Sequence, residues 1–214
     1  MPTHFYHVYA GAPDWRRVAF EHFSDLKAAA FEGDVRVGVV GSLPERARAA
    51  DWLRKQWPDA AVVAEADHGY EQVTLGALHD YARSASPATP VFYAHAKGSV
   101  TVNAEQDLWR RCMAYYTIYH WEHCTALLDD NDAVGVHWTT PAELRRHNIP
   151  VIPSDLPPHF GGNYWWATAG YLAELASPGS YRKTGDRYDA EWWVGSGNPR
   201  VYDFGGGLAY HPHR

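Results

Sequence analysis

The chain has 214 residues, of which 46% are hydrophobic and 21% charged, with a formal net charge of −6; these are the proportions of one compact domain and exclude disorder, collagen and coiled coil. The negative balance argues against broad electrostatic binding to nucleic acid or an anionic membrane surface, no apolar run approaches the ~20 residues of a membrane span, and the N-terminal Met1-Pro2-Thr3-His4 has neither the basic nor the apolar region of a secretory signal, so a cytoplasmic protein is expected. The outlying feature is the supply of flat, amphipathic rings, 10 Trp and 14 Tyr beside 13 His, which suits a core with hydrogen-bonding needs, a sugar cleft or a base-stacking platform.

In chain order, His4 to Ala10 reads as a first strand, and Gly11-Ala12-Pro13-Asp14 as a turn in which Asp14 caps a helix from about Trp15 to Phe31. Gly33-Asp34 closes that helix before a second strand, Val35 to Val40. Gly41-Ser42-Leu43-Pro44 opens a helix over Glu45 to Trp57, followed by a short strand at Ala60 to Ala64 and a loop at Glu65 to Gly69. A helix over Gln72 to Ser84 then leads to the strand Val91 to His95. Strand and helix alternating at this spacing predict an α/β fold with a mostly parallel central sheet flanked by helices. Ligands of such sheets bind at the carboxyl ends of the strands, here Tyr9-Ala10-Gly11, Gly41-Ser42, Glu65-Ala66-Asp67 and His95-Ala96-Lys97-Gly98. None of these turns carries GxGxxG or GxxxxGK[ST], which argues against a dinucleotide-binding Rossmann site or a P-loop.

The second half opens with a long helix, Gln106 to Leu128, whose Trp109, Met113, Tyr116, Ile118, Trp121 and Cys124 form mostly a core stripe. Cys112 and Cys124, about 18 Å apart along one helix, are expected as free thiols. A strand at Ala133 to Trp138, a Pro-rich excursion over Pro141 to Pro158 with one short helix, and a helix near Gly170 to Leu175 complete an irregular C-terminal half. With no linker and no repeat, residues 1–214 read as one domain.

Three places could carry chemistry. Lys97, at the end of an apolar strand, either binds phosphate oxygens or is an ordinary strand-end lysine, and Gly98-Ser99 adds permissive backbone to the first reading. His159-Phe160-Gly161-Gly162-Asn163-Tyr164-Trp165-Trp166 combines glycines that let a ligand reach backbone, an amide suited to sugar hydroxyls and indoles suited to a pyranose face, or else is a Trp-rich core strand with a bulge. In Arg187-Tyr188-Asp189-Ala190-Glu191-Trp192-Trp193, Asp189 or Glu191 could serve as a base for a hydroxyl or pair with Arg187. Asp129-Asp130-Asn131-Asp132 reads as a polar turn rather than a metal site. HExxH, CxxC and the GxSxG elbow are absent, which argues against a zinc site and a Ser hydrolase.

Tyr93-Ala94-His95-Ala96-Lys97-Gly98, Trp109-Arg110, Asp132 to Gly135, His159 to Trp166 and Arg187 to Trp193 occur in the order YxHxKG, WR, DxxG, HFxGNxWW and RxxAEWW. That series, together with Gly69 to Leu75, resembles GT-A-type glycosyltransferases, and more narrowly a group of bacterial and phage glycosyltransferase-like proteins. The resemblance implies a single GT-A-like (Rossmann-like) domain, with residues 1–100 holding a nucleotide diphosphate sugar and residues 101–214 the acceptor and catalytic half. It implies donor contacts from Tyr9, Ala10, Glu71, Thr74, His95, Lys97, Gly98 and Arg110, and sugar or acceptor contacts from His159, Gly162, Asn163, Trp165, Trp166 and Trp192. Glu191 is the implied general base, Asp189 the second choice, and Tyr164 and Trp193 join the ring cluster around the sugar. The acidic DxD with which that family holds a divalent metal, Mn or Mg, is replaced here by His95-Ala96-Lys97, so no metal ligand is assigned and Lys97 is the implied counter-charge for the leaving diphosphate.

The implied activity is transfer of the sugar to a hydroxyl acceptor. The alternatives are a sugar- or nucleotide-sugar-binding module without turnover, and a phage-type transferase acting on a modified DNA base, for which Arg110, Arg111, Arg145 and Arg146 would have to form a basic stripe.

Overall fold

The computed structural model describes residues 1–101, 103–146 (backbone alone at 145 and 146), 156–181 and 189–205. Its first half alternates β1 (Thr3–Tyr9), α1 (Trp15–Ala28), β2 (Asp34–Val40), α2 (Leu43–Gln56), β3 (Ala61–Ala66), α3 (Gln72–Ser84) and β4 (Pro90–His95). The second half adds α4 (Ala104–Thr117), α5 (Trp121–Leu127), β5 (Ala133–Gly135), β6 (Trp138–Thr139), α6 (Pro141–Arg146), β7 (His159–Phe160), β8 (Trp165–Thr168), α7 (Ala169–Glu174), α8 (Pro178–Tyr181), α9 (Asp189–Trp192) and β9 (Val201–Asp203).

The fold is α/β. One seven-stranded sheet runs in the order β3-β2-β1-β4-β8-β5-β9, and β6 pairs with β7 in a separate ribbon. Strands β3, β2, β1 and β4 are mutually parallel, β8 is antiparallel to both β4 and β5, and β9 is parallel to β5. The short strands of the second half therefore extend the sheet built by the first.

Strand β1 is buried on both faces, which is why it reads as a nearly unbroken apolar and aromatic run. Tyr6 and Val8 pack with Val18, Phe23 and Leu26 of α1, while Phe5 packs with Leu75 and Leu78 of α3 and with Tyr93 of β4. Helix α2 starts on a full capping box between Ser42 and Glu45. Strand β3 is an edge, and its Val62 and Val63 remain exposed.

Two expected elements divide. The single helix over Gln106 to Leu128 is α4 and α5, broken at residues 118–120. A continuous helix would give the Thr117 carbonyl to Trp121 N–H, but that carbonyl accepts 2.8 Å from the Trp166 indole, and Trp121 N–H turns to Ile118 O instead. The strand over Ala133 to Trp138 is interrupted by His137, whose φ is 65°, and its two ends join different sheets. Cys112 and Cys124 are free thiols. Half of the Pro-rich excursion, residues 147–155, lies outside the described residues. No helix among the described residues is long and apolar enough to cross a membrane.

Candidate functional site

Strand order reverses at β1, with β2 on one side and β4 on the other, and the carboxyl ends of such strands are where a parallel sheet gathers its ligands; the helices that follow β1 and β4, α1 and α4, lie on one face and are joined by Arg17–Asp107 and Arg110–Glu21. In the β1–β4 register Phe5 lies beside Tyr93 and His7 beside His95. These side chains share the α3 face of the sheet, and α3 brings Glu71 over them. Glu71 occupies the N-cap position of α3, yet its side chain caps nothing in the helix. It reaches across to the strands instead: Glu71 Oε2 accepts from Tyr93 O–H at 2.8 Å and from Asn163 Nδ2–H at 2.7 Å, and Oε1 lies 3.3 Å from His95 Nδ1.

The partners are fixed in turn. Asn163 is fully buried with φ of 59°, and its Oδ1 accepts from Trp165 Nε1–H at 2.7 Å. An indole N–H only donates, so the amide orientation is determined and Nδ2 must face Glu71. His95 Nε2–H donates to Gly162 O at 3.1 Å, the Tyr164 hydroxyl donates to His95 O, and His7 Nδ1 shares a 2.7 Å hydrogen bond with Thr74 Oγ1. Burial lowers His7 to about 4. Burial, reinforced by the Lys97 charge, lowers His95 to about 3. The Tyr93 phenol is raised well above its ordinary value by burial and by the Glu71 carboxylate. Near neutral pH both imidazoles and the phenol are therefore uncharged.

Lys97 follows His95 in a turn, and its ammonium sits 4.1 Å from the centroid of the Trp109 ring. Gly98 has φ of 82°, and a Cβ there would come within 3.3 Å of an Arg110 guanidinium nitrogen. Glu191, on α9, is half-buried, and its charge acts on Tyr93 and His95. Trp192 of α9 faces the buried His159 of β7, ring centres 6.4 Å apart. Tyr9 is exposed at the end of β1, and Ala10 N–H bonds Val40 O, which ties the ends of β1 and β2. Of the two candidate bases, Asp189 is buried and Glu191 is the more accessible; Arg187 lies outside the described residues.

Four sequence expectations need correction. Trp165 and Trp166 have no exposed surface, because they stack on Tyr93 and Phe92, at 5.2 and 4.9 Å between ring centres. Tyr164 and Trp193 are equally buried. Their ring faces are taken by protein, so only Trp192 of the predicted ring cluster remains half-open. Gly162 is small to admit α4 rather than a ligand: a Cβ there would lie 2.5 Å from Met113 Sδ and 3.2 Å from the Trp109 ring. Thr74 is fully buried against Gly38 and supports His7 instead of meeting a donor. Arg110 is also buried, held by Glu21 at 2.6 Å and Asp107 at 2.8 Å and donating to Lys97 O, so its charge is matched within the protein. That removes Arg110 from any basic stripe, and the side chains of Arg145 and Arg146 lie outside the described residues.

His7 and Tyr93 are site residues that the sequence reading did not single out for roles. The available signal was a titratable or hydroxylated ring in an apolar strand, within three residues of its carboxyl end. The Asp129 to Asp132 run is a polar turn: Asn131 Nδ2–H caps Leu127 O, and Asp132 pairs with Arg200 at 3.2 Å, which lowers its carboxyl below the usual range. The residues at the end of β4 do not fit a divalent cation. The turn presents an ammonium, one His95 nitrogen is spent on a backbone carbonyl, and no group of three His, Cys, Asp or Glu suited to a metal occurs among the described residues.

Fold and site together define an α/β protein with a buried polar cluster at the switch point of a mostly parallel sheet. Within that class, the chain belongs to the family described as Domain of unknown function (DUF8361), whose model matches residues 5–194. A comparison with curated proteins finds no match.

Proposed function

We propose that this protein is a glycosyltransferase that takes a sugar from a nucleotide diphosphate donor and passes it to a hydroxyl acceptor at the carboxyl ends of β1 and β4. The observation that carries the reading is the convergence there of a fixed carboxylate, Glu71, a second and more accessible carboxylate, Glu191, and the ammonium of Lys97. It rests also on the resemblance to GT-A enzymes, whose nucleotide-sugar half corresponds to the parallel β3-β2-β1-β4 unit. In this reading the acceptor oxygen attacks the anomeric carbon as the bond to the diphosphate breaks. The bonding electrons leave with the diphosphate, whose added charge Lys97 offsets, and the hydroxyl proton passes to Glu191. Attack from the face opposite the leaving group inverts the anomeric centre. No step is routed through a metal. The free thiols Cys112 and Cys124 suit a cytoplasmic protein.

A panel of nucleotide diphosphate sugars tests this by thermal shift and by release of nucleoside diphosphate, each with and without chelator. A cognate donor at about a hundred times its Kd adds about 2.7 kcal/mol, a shift of roughly 5–10 °C for a domain of this size. Turnover that survives chelator and falls at least a hundredfold in Glu191→Gln and Lys97→Met supports the assignment. Binding without turnover identifies a nucleotide-sugar-binding module, and binding to none of the panel refutes both.

A further inference from the structure

The parallel half of the sheet ends on β3, and that edge is left open. Exposed edges are commonly blunted by a proline, a charge or a covering segment, yet this strand opens Ala61-Val62-Val63-Ala64, and among the described residues only β2 pairs with it. The β2–β3 register passes from Val62 to Ala64; this bulge adds local twist but leaves the Val63 peptide group without a counterpart on β2. Val62 and Val63 are 37% and 36% exposed. The helices on the two faces continue the apolar strip. On α2, Trp52 meets Trp15 and Phe23 of α1, and at about 100° per residue Leu43, Ala47 and Ala50 point the opposite way, to the outer side of β3. On α3, Leu75 packs with Phe5 of β1 and Thr74 lies over Gly38 of β2, so the next positions around the helix, Val73 and Ala77, flank β3.

We propose that a second copy of this chain docks on this edge, the two β3 strands running antiparallel about a two-fold axis so that the two seven-stranded sheets join into one. Charge selects this occupant and this direction. The carboxyl end of the strip carries Glu65 and Asp67, their side chains 51% and 67% exposed. Beside its amino end stands Arg54 of α2, 71% exposed, with Asp59 in the turn that leads into the strand. Parallel pairing would set each of these charges against its own copy. Antiparallel pairing brings Arg54 of each copy to Glu65 and Asp67 of the other, twice by symmetry, while the uncharged centre of one strand meets the uncharged centre of the other. Ala47, Ala50 and Ala77 are short enough to let α2 and α3 approach their copies on the two faces of the joined sheet. An isologous contact of this kind closes at two copies and uses up both β3 edges. Strand β1 lies two strands in from that edge, so the proposal does not depend on the transferase reading.

The test is sedimentation equilibrium of the whole protein between about 1 and 200 µM, in reductant so that free thiols form no cross-links. The wild type is expected to pass from monomer to dimer over that range and to stop there. Val63→Lys sets a charge on the open edge and is expected to weaken the dimer about tenfold or more. Arg54→Glu turns the attraction across the contact into repulsion and is expected to weaken it about fivefold or more. Leu108→Lys, at an exposed apolar position on α4, is expected to leave it unchanged. A wild type that stays monomeric throughout, one that grows past the dimer, or a dimer that folded Val63→Lys leaves intact overturns the proposal. Amide hydrogen exchange on the wild type decides even where Val63→Lys fails to fold: the amides of residues 61–64 are expected to slow as protein concentration rises, and exchange there that does not change with concentration overturns the proposal as well.

Discussion

Three histidines are sealed inside the α/β core, and acid should open the fold through them. His4, His7 and His22 are at most 5% exposed. His4 and His22 are joined Nε2 to Nε2 at 2.7 Å, and His4 Nδ1–H points at Phe92 O, so His22 supplies the proton of the shared bond. Burial holds His4 at about 3 and His7 at about 4, and it drives His22 well below its ordinary value. In the unfolded chain each returns to about 6.5. Their contribution is complete above pH 6.5 and is lost as the pH falls toward 4 and 3, because the unfolded chain takes up protons that the folded one refuses. Each histidine costs about 1.4 kcal/mol per pH unit below 6.5, hence about 2 kcal/mol at pH 5 and about 6 kcal/mol for the three, and His95, held at about 3 by burial at the end of β4, adds about 2 kcal/mol more. That is of the order of the whole stability of a domain, roughly 5–15 kcal/mol. Urea melts between pH 7.5 and 5 should show the midpoint collapsing, with close to four protons taken up per unfolding event near pH 5, one from each of His4, His7, His22 and His95. The double variant His4→Phe plus His22→Phe removes both partners of one bond together, which spares the core an unpaired group, and should cut that uptake to about two, those of His7 and His95. A loss of less than about 1 kcal/mol between pH 7.5 and 5 would refute the argument.

Other substitutions separate support from chemistry. Asn163→Leu strands the buried Trp165 N–H and removes one of the two donors to Glu71 Oε2 and should cost about 2–4 kcal/mol in a denaturant melt; a cost under about 1 kcal/mol would mean the amide is not the bridge described. Gly162→Ala combines φ of 89° with a collision on Met113 Sδ and should lose about 2–3 kcal/mol, whereas Gly179→Ala, with nothing near its added Cβ, should stay within about 0.5 kcal/mol. Arg110→Met removes the buried partner of Glu21 and Asp107, which keep Arg17 as a second cation, and should destabilise by about 1–2 kcal/mol, with a loss of activity that follows the loss of folded protein. Lys97→Met should alter stability by about 1 kcal/mol or less, the scale of its contact with Trp109, so that a larger activity loss reports chemistry.

The parallel half was legible because its signals are local. Period-two and apolar runs marked β1, β2 and β4, Pro44 and the Ser42–Glu45 pair marked the start of α2, and Gly33 marked the approach to β2. The second half was not, because its boundaries are set by partners far away in the chain. The break between α4 and α5 depends on the Trp166 indole, 49 residues on from Thr117, and a helical stripe running from Trp109 to Cys124 carries no trace of it. The indoles misled for a similar reason. A Trp ring suits a sugar face or a core equally well in composition, and only the pairing of β8 with β4, which sets Trp165 beside Tyr93 and Trp166 beside Phe92, decides between them.

The site itself shows in the sequence as broken local rules. Ser, Thr, Asp or Asn serves best at a helix N-cap, yet α3 has Glu71 there, with a side chain too long to close on its own first turn and long enough to reach the strands. A residue with φ of 59° favours glycine, yet Asn163 follows Gly162 into the left-handed region, and its amide is what joins Trp165 to Glu71. Near the carboxyl end of β4 an apolar run ends in His95, which lies beside His7 of β1. Each choice sacrifices some local stability, and glycine at 163, serine at 71 or valine at 7 would suit the backbone better. Stability alone would spread such departures through the molecule. Their convergence on one carboxylate, at the strand ends where a parallel sheet gathers its ligands, is what a selected function predicts.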